Sequence, residues 1–195
     1  MYFTTKTLSS KYKFRDNDKL YFVTFSVVYW IDLFIREEYK KIVLDSWKYC
    51  IANKGMELYG WCIMTSHVHM IIGSHAEKLE RIMQNMKRHT SEKLHEAIKK
   101  HSGESRKEWL LWLMERAGKR NSNNLGFQLW QQDNHPIELG YSKIAWQKLH
   151  YIHNNPVKTG IVEKPEDYVY SSATSYQGMK GLIDICHLDS LIVRV

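Results

Sequence analysis

Two histidines separated by one residue carry the clearest chemical signal in the chain. His67-Val68-His69 lies in an apolar stretch typical of a β-strand. Side chains of a strand alternate between its faces, so both imidazoles leave one face while Val68 points into the core. Neutral imidazoles bind divalent cations. The pair predicts a metal site, and a chance His-x-His pattern is the alternative.

The residues around the pair favour the metal site. The polar step Thr65-Ser66 precedes it inside otherwise apolar sequence, and burying two unpaired imidazoles there would cost free energy without compensation. The other histidines considered have no such partner and are predicted to lie on the surface: His75, His89, His95, His101, His135 and His187.

A tyrosine in a predicted helix over 142–154 supplies a possible nucleophile. The apolar stripe of this helix consists of Ala145, Leu149 and Ile152. At about 100° per residue, Tyr151 lies roughly 120° from that stripe, so its phenol can project into a site. The alternative is a tyrosine on the helix surface or at the edge of the core.

Asn155 follows Tyr151 by one helical turn and shares its face. Its amide oxygen suits a hard cation such as Mg²⁺ or Mn²⁺. Pro156 comes next, and a residue before proline is disfavoured in helical geometry. The helix is therefore predicted to end before Pro156.

The hydrophobic pattern predicts alternating strands and helices that would position these groups. Strands are predicted at 21–28, as a pair within 57–72 around Thr65-Ser66, and at 127–132. Helices are predicted at 37–53, 78–99, 109–114 and 142–154, with a polar loop at 118–124.

This order predicts an α+β fold with a ferredoxin-like split-βαβ arrangement. The sheet is expected to be mainly antiparallel, with helices packed on one face. A length of 195 residues suits a single domain over 1–195.

A net charge of +7 favours a polyanionic partner, which leaves nucleic acid, an anionic membrane or an acidic protein. Twelve tyrosines and seven tryptophans suit the stacking of nucleic-acid bases. Lys87, Arg88 and Lys93 on the 78–99 helix are candidate DNA contacts, and a solvated helix face is the alternative.

The chain is expected to be cytoplasmic. No apolar run reaches the roughly 20 residues of a membrane helix, and the N-terminus lacks the apolar stretch of a signal peptide. Three scattered cysteines without a CxxC pair favour free thiols.

An ordered set of blocks over about 20–176 resembles a known family. The blocks are YFVTF from Tyr21, Gly60, Trp61 and Met64, His67-Val68-His69, Leu129-Trp130-Gln131, YIHNNPV from Tyr151 with Gly160, and PEDY from Pro165 with Ser171-Ser172. The sequence resembles the single-tyrosine transposases of the HUH endonuclease superfamily, encoded by small insertion sequences. The last two blocks are more similar to the REP-associated tyrosine transposases. Thr65-Ser66 departs from the Pro-Asn or Pro-Glu that is common in these enzymes.

The resemblance implies specific roles. Tyr151 would be the catalytic nucleophile, and His67 and His69 would bind the metal, Mg²⁺ or Mn²⁺, with Asn155 completing the site. The substrate would be single-stranded DNA with a hairpin, nicked and rejoined through a 5′-phosphotyrosine intermediate. The enzyme would act as a monomer or a homodimer.

Two other functions remain open from the residues alone. One is a non-catalytic module that binds single-stranded DNA or RNA on the same sheet, which would need neither the histidine pair nor Tyr151. The other is a hydrolase that activates water on the His-x-His metal. Barrel hydrolases of that kind need about 250 residues, more than this chain has.

Overall fold

One antiparallel sheet organises the computed structural model, which describes residues 14–121, 126–132, 136–140 and 142–189. Within these residues the sheet has four strands in the order β2-β3-β1-β4. They are β1 (Tyr21–Ser26), β2 (Met56–Ile63), β3 (His67–Ser74) and β4 (Ile137–Glu138). Every pairing is antiparallel. This is the strand order of a split βαβ fold, so the predicted ferredoxin-like class is confirmed.

The helices lie on both sides of this sheet. They are α1 (Glu37–Lys54), α2 (Leu79–Lys100), α3 (Lys107–Lys119), α4 (Ser142–Lys158) and the short α5 (Ala173–Tyr176). Helices α1 and α2 pack together on one face, as predicted, and α3 packs against α2. Helix α4 packs instead on the opposite face, against β2 and β3. None of the helices in the described segments has the length and apolarity to cross a bilayer.

Two apolar clusters explain this arrangement, because the central strands are apolar on both faces. Val68 and Met70 belong to the cluster under α1 and α2, whereas Cys62 and Ile71 belong to the cluster under α4. An amphipathic helix that follows such a sheet buries its stripe on the uncovered face. The residues of α4 that do so are Ala145, Leu149 and Ile152, as its periodicity predicts.

The predicted strand at 127–132 is wrong. This segment runs beside the end of β1 and makes only an isolated bridge between Val27 and Trp130, with backbone hydrogen bonds from Val28 N to Leu129 O and from Gln131 N to Ser26 O. The fourth strand is the two-residue β4, which a periodicity argument has too few residues to detect. The strand predicted at 21–28 ends at Ser26. Residues 122–124 of the polar loop, and His135, lie outside the described residues.

The C-terminal end of α4 also differs from the prediction. The helix continues through Pro156 to Lys158. Gly160 caps this end with a left-handed φ of +72°, and hydrogen bonds run from Ile161 N to Pro156 O and from Gly160 N to Val157 O. These two bonds define a Schellman cap, which favours glycine at this position. Asn155 consequently lies inside the helix.

Gly60 lets α4 approach the sheet closely. A Cβ at this position would lie 2.6 Å from Leu149 Cδ1. A register shift between Leu58 and Gly60 in the β2–β3 pairing marks a β-bulge, which places Tyr59 and Gly60 consecutively beneath α4. The absent side chain at Gly60 therefore helps to set the height of α4 above β3.

The Gly60→Ala substitution should destabilise the fold by about 1–3 kcal/mol, because the added methyl group overpacks the interface with Leu149. Urea denaturation measures the change in the free energy of unfolding. Gly140→Ala is the matched control, since no heavy atom of the described residues lies within 4 Å of the added methyl group. Equal stability of the two variants would show that Gly60 does not set the packing distance.

Candidate metal and tyrosine site

The two histidines of β3 lie together on the sheet face that α4 covers. Their ring centroids are 4.7 Å apart. His69 pairs with Thr24 of β1, and His67 pairs with Ser26. His69 is only 3% exposed, and Val68 between them is fully buried on the other face. Strand alternation therefore brings the two imidazoles together as the sequence predicts.

Hydrogen bonds hold one nitrogen of each ring. Thr24 Oγ1 lies 2.7 Å from His69 Nδ1, and Ser66 Oγ lies 3.2 Å from His67 Nδ1. Nε2 of His69 is buried and has no hydrogen-bond partner among the described residues. A histidine that ligates a metal typically has its other nitrogen fixed by such a partner. His69 therefore has the geometry of a metal ligand, with Nδ1 held by Thr24 and Nε2 available to bind a cation.

Burial keeps both imidazoles neutral. It lowers the pKa of His69 to about 3, and the positive charge of protonated His67 and of Lys148 lowers it further. Burial also lowers the pKa of His67, against a smaller opposing effect of Asp32. A neutral imidazole keeps the lone pair that a cation needs. The pair is therefore ready to bind metal at neutral pH without losing a proton.

Tyr151 of α4 lies against His69 of this pair. Its ring centroid is 5.3 Å from that of His69 and 6.0 Å from that of Phe22. The side chain is 41% exposed, although α4 itself is packed on the sheet. Tyr151 therefore contacts a buried imidazole and is still accessible from solvent.

Two lysines of the same helix flank the phenol. Lys148 Nζ and Lys158 Nζ each lie 5.7 Å from the centroid of the Tyr151 ring, and Lys148 Nζ also lies 4.8 Å from that of Phe22. Helical spacing places both lysines on the face of Tyr151. They place two positive charges beside the phenol ring.

Asn155 lies one turn after Tyr151 on α4. Its side-chain Nδ2 is buried and has no hydrogen-bond partner among the described residues. The two ends of an amide are assigned from their hydrogen bonds, and turning the group over exchanges Nδ2 for the carbonyl oxygen. In the turned-over orientation, the carbonyl oxygen would be the unpartnered atom and could bind a cation.

The donors present suit a cation site that is completed by oxygen ligands. In the part of the chain that the structure describes, no group of three or more histidine, cysteine or carboxylate side chains is placed to hold a metal. Two imidazoles and one amide would leave coordination positions for water and phosphate oxygens, which Mg²⁺ and Mn²⁺ accept.

Buried polar contacts fix α4 beneath the C-terminal segment. Ser172 Oγ accepts a hydrogen bond from Trp61 N at 2.9 Å and lies 2.9 Å from His153 Nε2. The Tyr168 hydroxyl donates to Ile63 O at 2.7 Å. The PEDY and Ser-Ser blocks therefore have a structural role, since they connect α4 to the end of β2, next to the turn that leads into the histidine pair.

The candidate DNA contacts on α2 lie away from this site. Lys87 Nζ donates to Gln131 O at 2.9 Å, and Lys93 pairs with Glu96 at 3.7 Å. Arg88 donates to Asn85 Oδ1 at 3.4 Å. Because α2 covers the face opposite α4, the structure does not bring these three cations to Tyr151.

Four contributors to the site escaped the sequence reasoning. Lys148 and Lys158 were detectable, because they share a helical face with Tyr151. Thr24 becomes apparent only once the β1–β3 register is known. Trp30, whose ring lies 5.6 Å from that of His67, gives no signal in the sequence.

Comparison with known proteins shows what the fold and the region of the histidine pair are similar to. A family model described as "Transposase IS200 like" matches residues 20–115, which include the histidine pair but not Tyr151. A solved structure of a REP-associated tyrosine transposase bound to a REP hairpin is similar in fold, with a TM-score of 0.56 and 13% identity over 94% of this chain and 93% of that one. No curated protein matches the chain.

The family model makes residues 20–115 similar to IS200-like transposases, and the solved structure shows that the chain shares the fold of a tyrosine transposase. Together, the two matches support the place of this chain in the family of IS200-like transposases, which the sequence motifs resemble.

The buried imidazoles should make stability depend on pH. An unfolded chain has an ordinary histidine pKa of 6.5, whereas the folded protein has a His69 pKa of about 3 and a His153 pKa of about 4. Between pH 6.5 and the folded-state pKa of each histidine, the unfolded chain binds more protons than the folded protein. The free energy of unfolding therefore falls as the pH is lowered through these two ranges.

His69→Gln should flatten this dependence by up to about 1.4 kcal/mol per pH unit below pH 6. Urea denaturation at stepped pH, with a chelator present, measures the slope. His153→Gln should flatten it separately, and the double variant should add the two effects. An unchanged slope in the His69 variant would mean that this imidazole is not held neutral by the fold.

Proposed function

We propose that the chain nicks and rejoins single-stranded DNA through a transient covalent bond to Tyr151. The observation that carries this proposal is the 5.3 Å separation between the Tyr151 and His69 ring centroids. A nucleophile and a pair of candidate metal ligands then face the same small region, which is the arrangement that phosphoryl transfer needs.

His67, His69 and Asn155 would hold the divalent cation. When bound, Mg²⁺ or Mn²⁺ would neutralise a non-bridging phosphate oxygen and polarise the phosphorus. The chain's own contribution is to keep both imidazoles neutral, and turning over the Asn155 amide would add its carbonyl oxygen as a third donor.

Tyr151 would perform the cleavage. Its phenol oxygen forms a bond to phosphorus while the bond from phosphorus to the 3′ oxygen of the preceding nucleotide breaks. The products are a 5′-phosphotyrosine on one fragment and a free 3′-hydroxyl on the other. Because the covalent link conserves the energy of the broken bond, a 3′-hydroxyl can attack it and restore the strand without ATP.

The substrate would be single-stranded DNA beside a hairpin. The exposed face of Tyr151 and its two flanking lysines suit an unpaired strand that brings one phosphate to the phenol. The similar structure holds a REP hairpin, and that likeness supports a hairpin for this chain as well. Lys87, Arg88 and Lys93 would contact phosphates outside the cleavage site, on the α2 side of the sheet.

A covalent adduct is the direct test. Single strands from the DNA that flanks the coding sequence, labelled at the 3′ end, are incubated with the protein and Mn²⁺ and separated under denaturing conditions. The 3′ fragment should migrate with the protein, because Tyr151 holds its 5′ phosphate. Tyr151→Phe should abolish this band while still binding the strand.

Two further variants complete the test. Tyr49→Phe changes an exposed tyrosine of α1 on the opposite side of the sheet and should nick normally. His67→Ala combined with His69→Ala should abolish nicking. An adduct that persists in Tyr151→Phe would refute the proposal, and nicking without any adduct would favour the water-activating hydrolase.

A further inference from the structure

An exposed tryptophan stands beside the histidine pair, in the turn that follows β1. Trp30 is 58% exposed. Its ring centroid lies 5.6 Å from that of His67, with an angle of 74° between the planes. Single exposed apolar side chains are common on proteins and need no explanation by themselves. Trp30 differs from such residues because its ring lies next to His67, a candidate metal ligand.

The backbone of this turn is unusual. Tyr29 and Trp30 have φ values of +57° and +55°, in the left-handed region that residues with a side chain rarely adopt. Buried residues hold the turn on both sides, since Val28 and Ile31 lie in the core. Such strain persists only where the surroundings impose it, and it is concentrated at ligand sites.

Backbone hydrogen bonds fix the turn that carries Trp30. Val28 N donates to Leu129 O at 2.8 Å, and Trp30 N donates to Val27 O at 3.0 Å. Val27 N in turn donates to Ser66 O at 2.9 Å, in the step that precedes the histidine pair. These backbone contacts therefore connect the turn that carries Trp30 to the turn that leads into the candidate metal site.

An unpaired base is the partner that this geometry fits. Base–aromatic stacking accepts any base, because each has a π face. Consecutive nucleotides of a strand are at least about 3.4 Å apart. An indole centred 5.6 Å from the His67 ring is thus within about one or two nucleotides of a phosphate held at the histidine pair.

We propose, building on the proposed function, that Trp30 stacks on the unpaired base next to the phosphate that Tyr151 attacks. Trp30 then holds the strand on the His67 side of the site while Lys148 and Lys158 contact it on the Tyr151 side. The strand is aligned between an aromatic ring and two cations. Trp30 positions substrate and takes no part in the bond changes.

Binding without cleavage tests this proposal. All variants are made in the Tyr151→Phe chain, and fluorescence anisotropy measures their affinity for a labelled oligothymidylate. Trp30→Ala should weaken binding roughly 5- to 150-fold, which corresponds to the loss of one stacked base. Trp30→Phe should retain most of the affinity, because a phenyl ring still stacks.

Trp109→Ala is the matched control, since Trp109 of α3 is a tryptophan of similar exposure, at 50%. It should bind like the parent chain. The Mn²⁺ affinity of Trp30→Ala, measured by calorimetry, should also be unchanged. An equal loss in Trp109→Ala, or a parallel fall in Mn²⁺ affinity, would overturn the proposal, because the effect would then be non-specific or act through His67.

The position of the base is tested with the nicked strand, carrying one abasic site at a time. The loss caused by Trp30→Ala should disappear only when the abasic site adjoins the nick. Nicking by the parent chain with no effect of Trp30→Ala on binding would refute the stacking role and leave the proposed function intact. If binding depends on Trp30 but the parent chain, which retains Tyr151, forms no covalent adduct with the same strand, the proposed function is refuted and the stacking contact stands alone.

Discussion

The packing of α4 on β2 and β3 is the constraint on which the candidate site depends. His67 and His69 are fixed by the strand that carries them, but Tyr151 reaches them only because α4 lies low on the same face. Gly60 permits that approach, and Leu149 and Ile152 fill the interface. This packing is possible because the central strands carry apolar residues on both faces. On a sheet with one polar face, α4 would have no surface against which to bury its apolar stripe.

The electrostatics of the site follow from the same packing. Burial under α4 makes His69 a poor base and a good ligand, because protonation inside an apolar environment is unfavourable. The positive charges of Lys148 and Lys158 lie at the rim of the site, beside the Tyr151 ring. The site thus separates neutral donors at its centre from cations at its edge, an arrangement suited to a metal ion that approaches together with a polyanion.

Some of this was predictable from the sequence because the relevant signals are local. The alternation of His67, Val68 and His69 follows from strand geometry, and the direction of Tyr151 follows from the apolar stripe of its helix. The end of α4 was not predictable from Pro156, because the Schellman cap at Gly160 outweighs the preference of the residue before a proline. The strand at 127–132 was wrong because hydrophobic pattern cannot separate a strand from an extended segment with one bridge.

Other contributors depend on contacts between distant parts of the chain. Thr24 contacts His69 because of the register between β1 and β3. Trp30 contacts His67 because Tyr29 and Trp30 adopt a left-handed backbone conformation, which neither tyrosine nor tryptophan favours. The face chosen by α4 was also hidden, since it depends on which side of the sheet the earlier helices cover. These features require the assembled fold, whereas the identity of the histidine pair and the tyrosine does not.

The central claim is that a cation is bound beside Tyr151 by the histidine pair. Fluorine NMR of the protein labelled with 3-fluorotyrosine tests it, with resonances assigned from the Tyr151→Phe and Tyr49→Phe variants. Substoichiometric Mn²⁺ should broaden the Tyr151 resonance first and leave Tyr49 sharp, and replacing His67 and His69 with alanine should remove the effect. Broadening of Tyr151 that is no greater than that of Tyr49, or that survives loss of both histidines, would contradict the account.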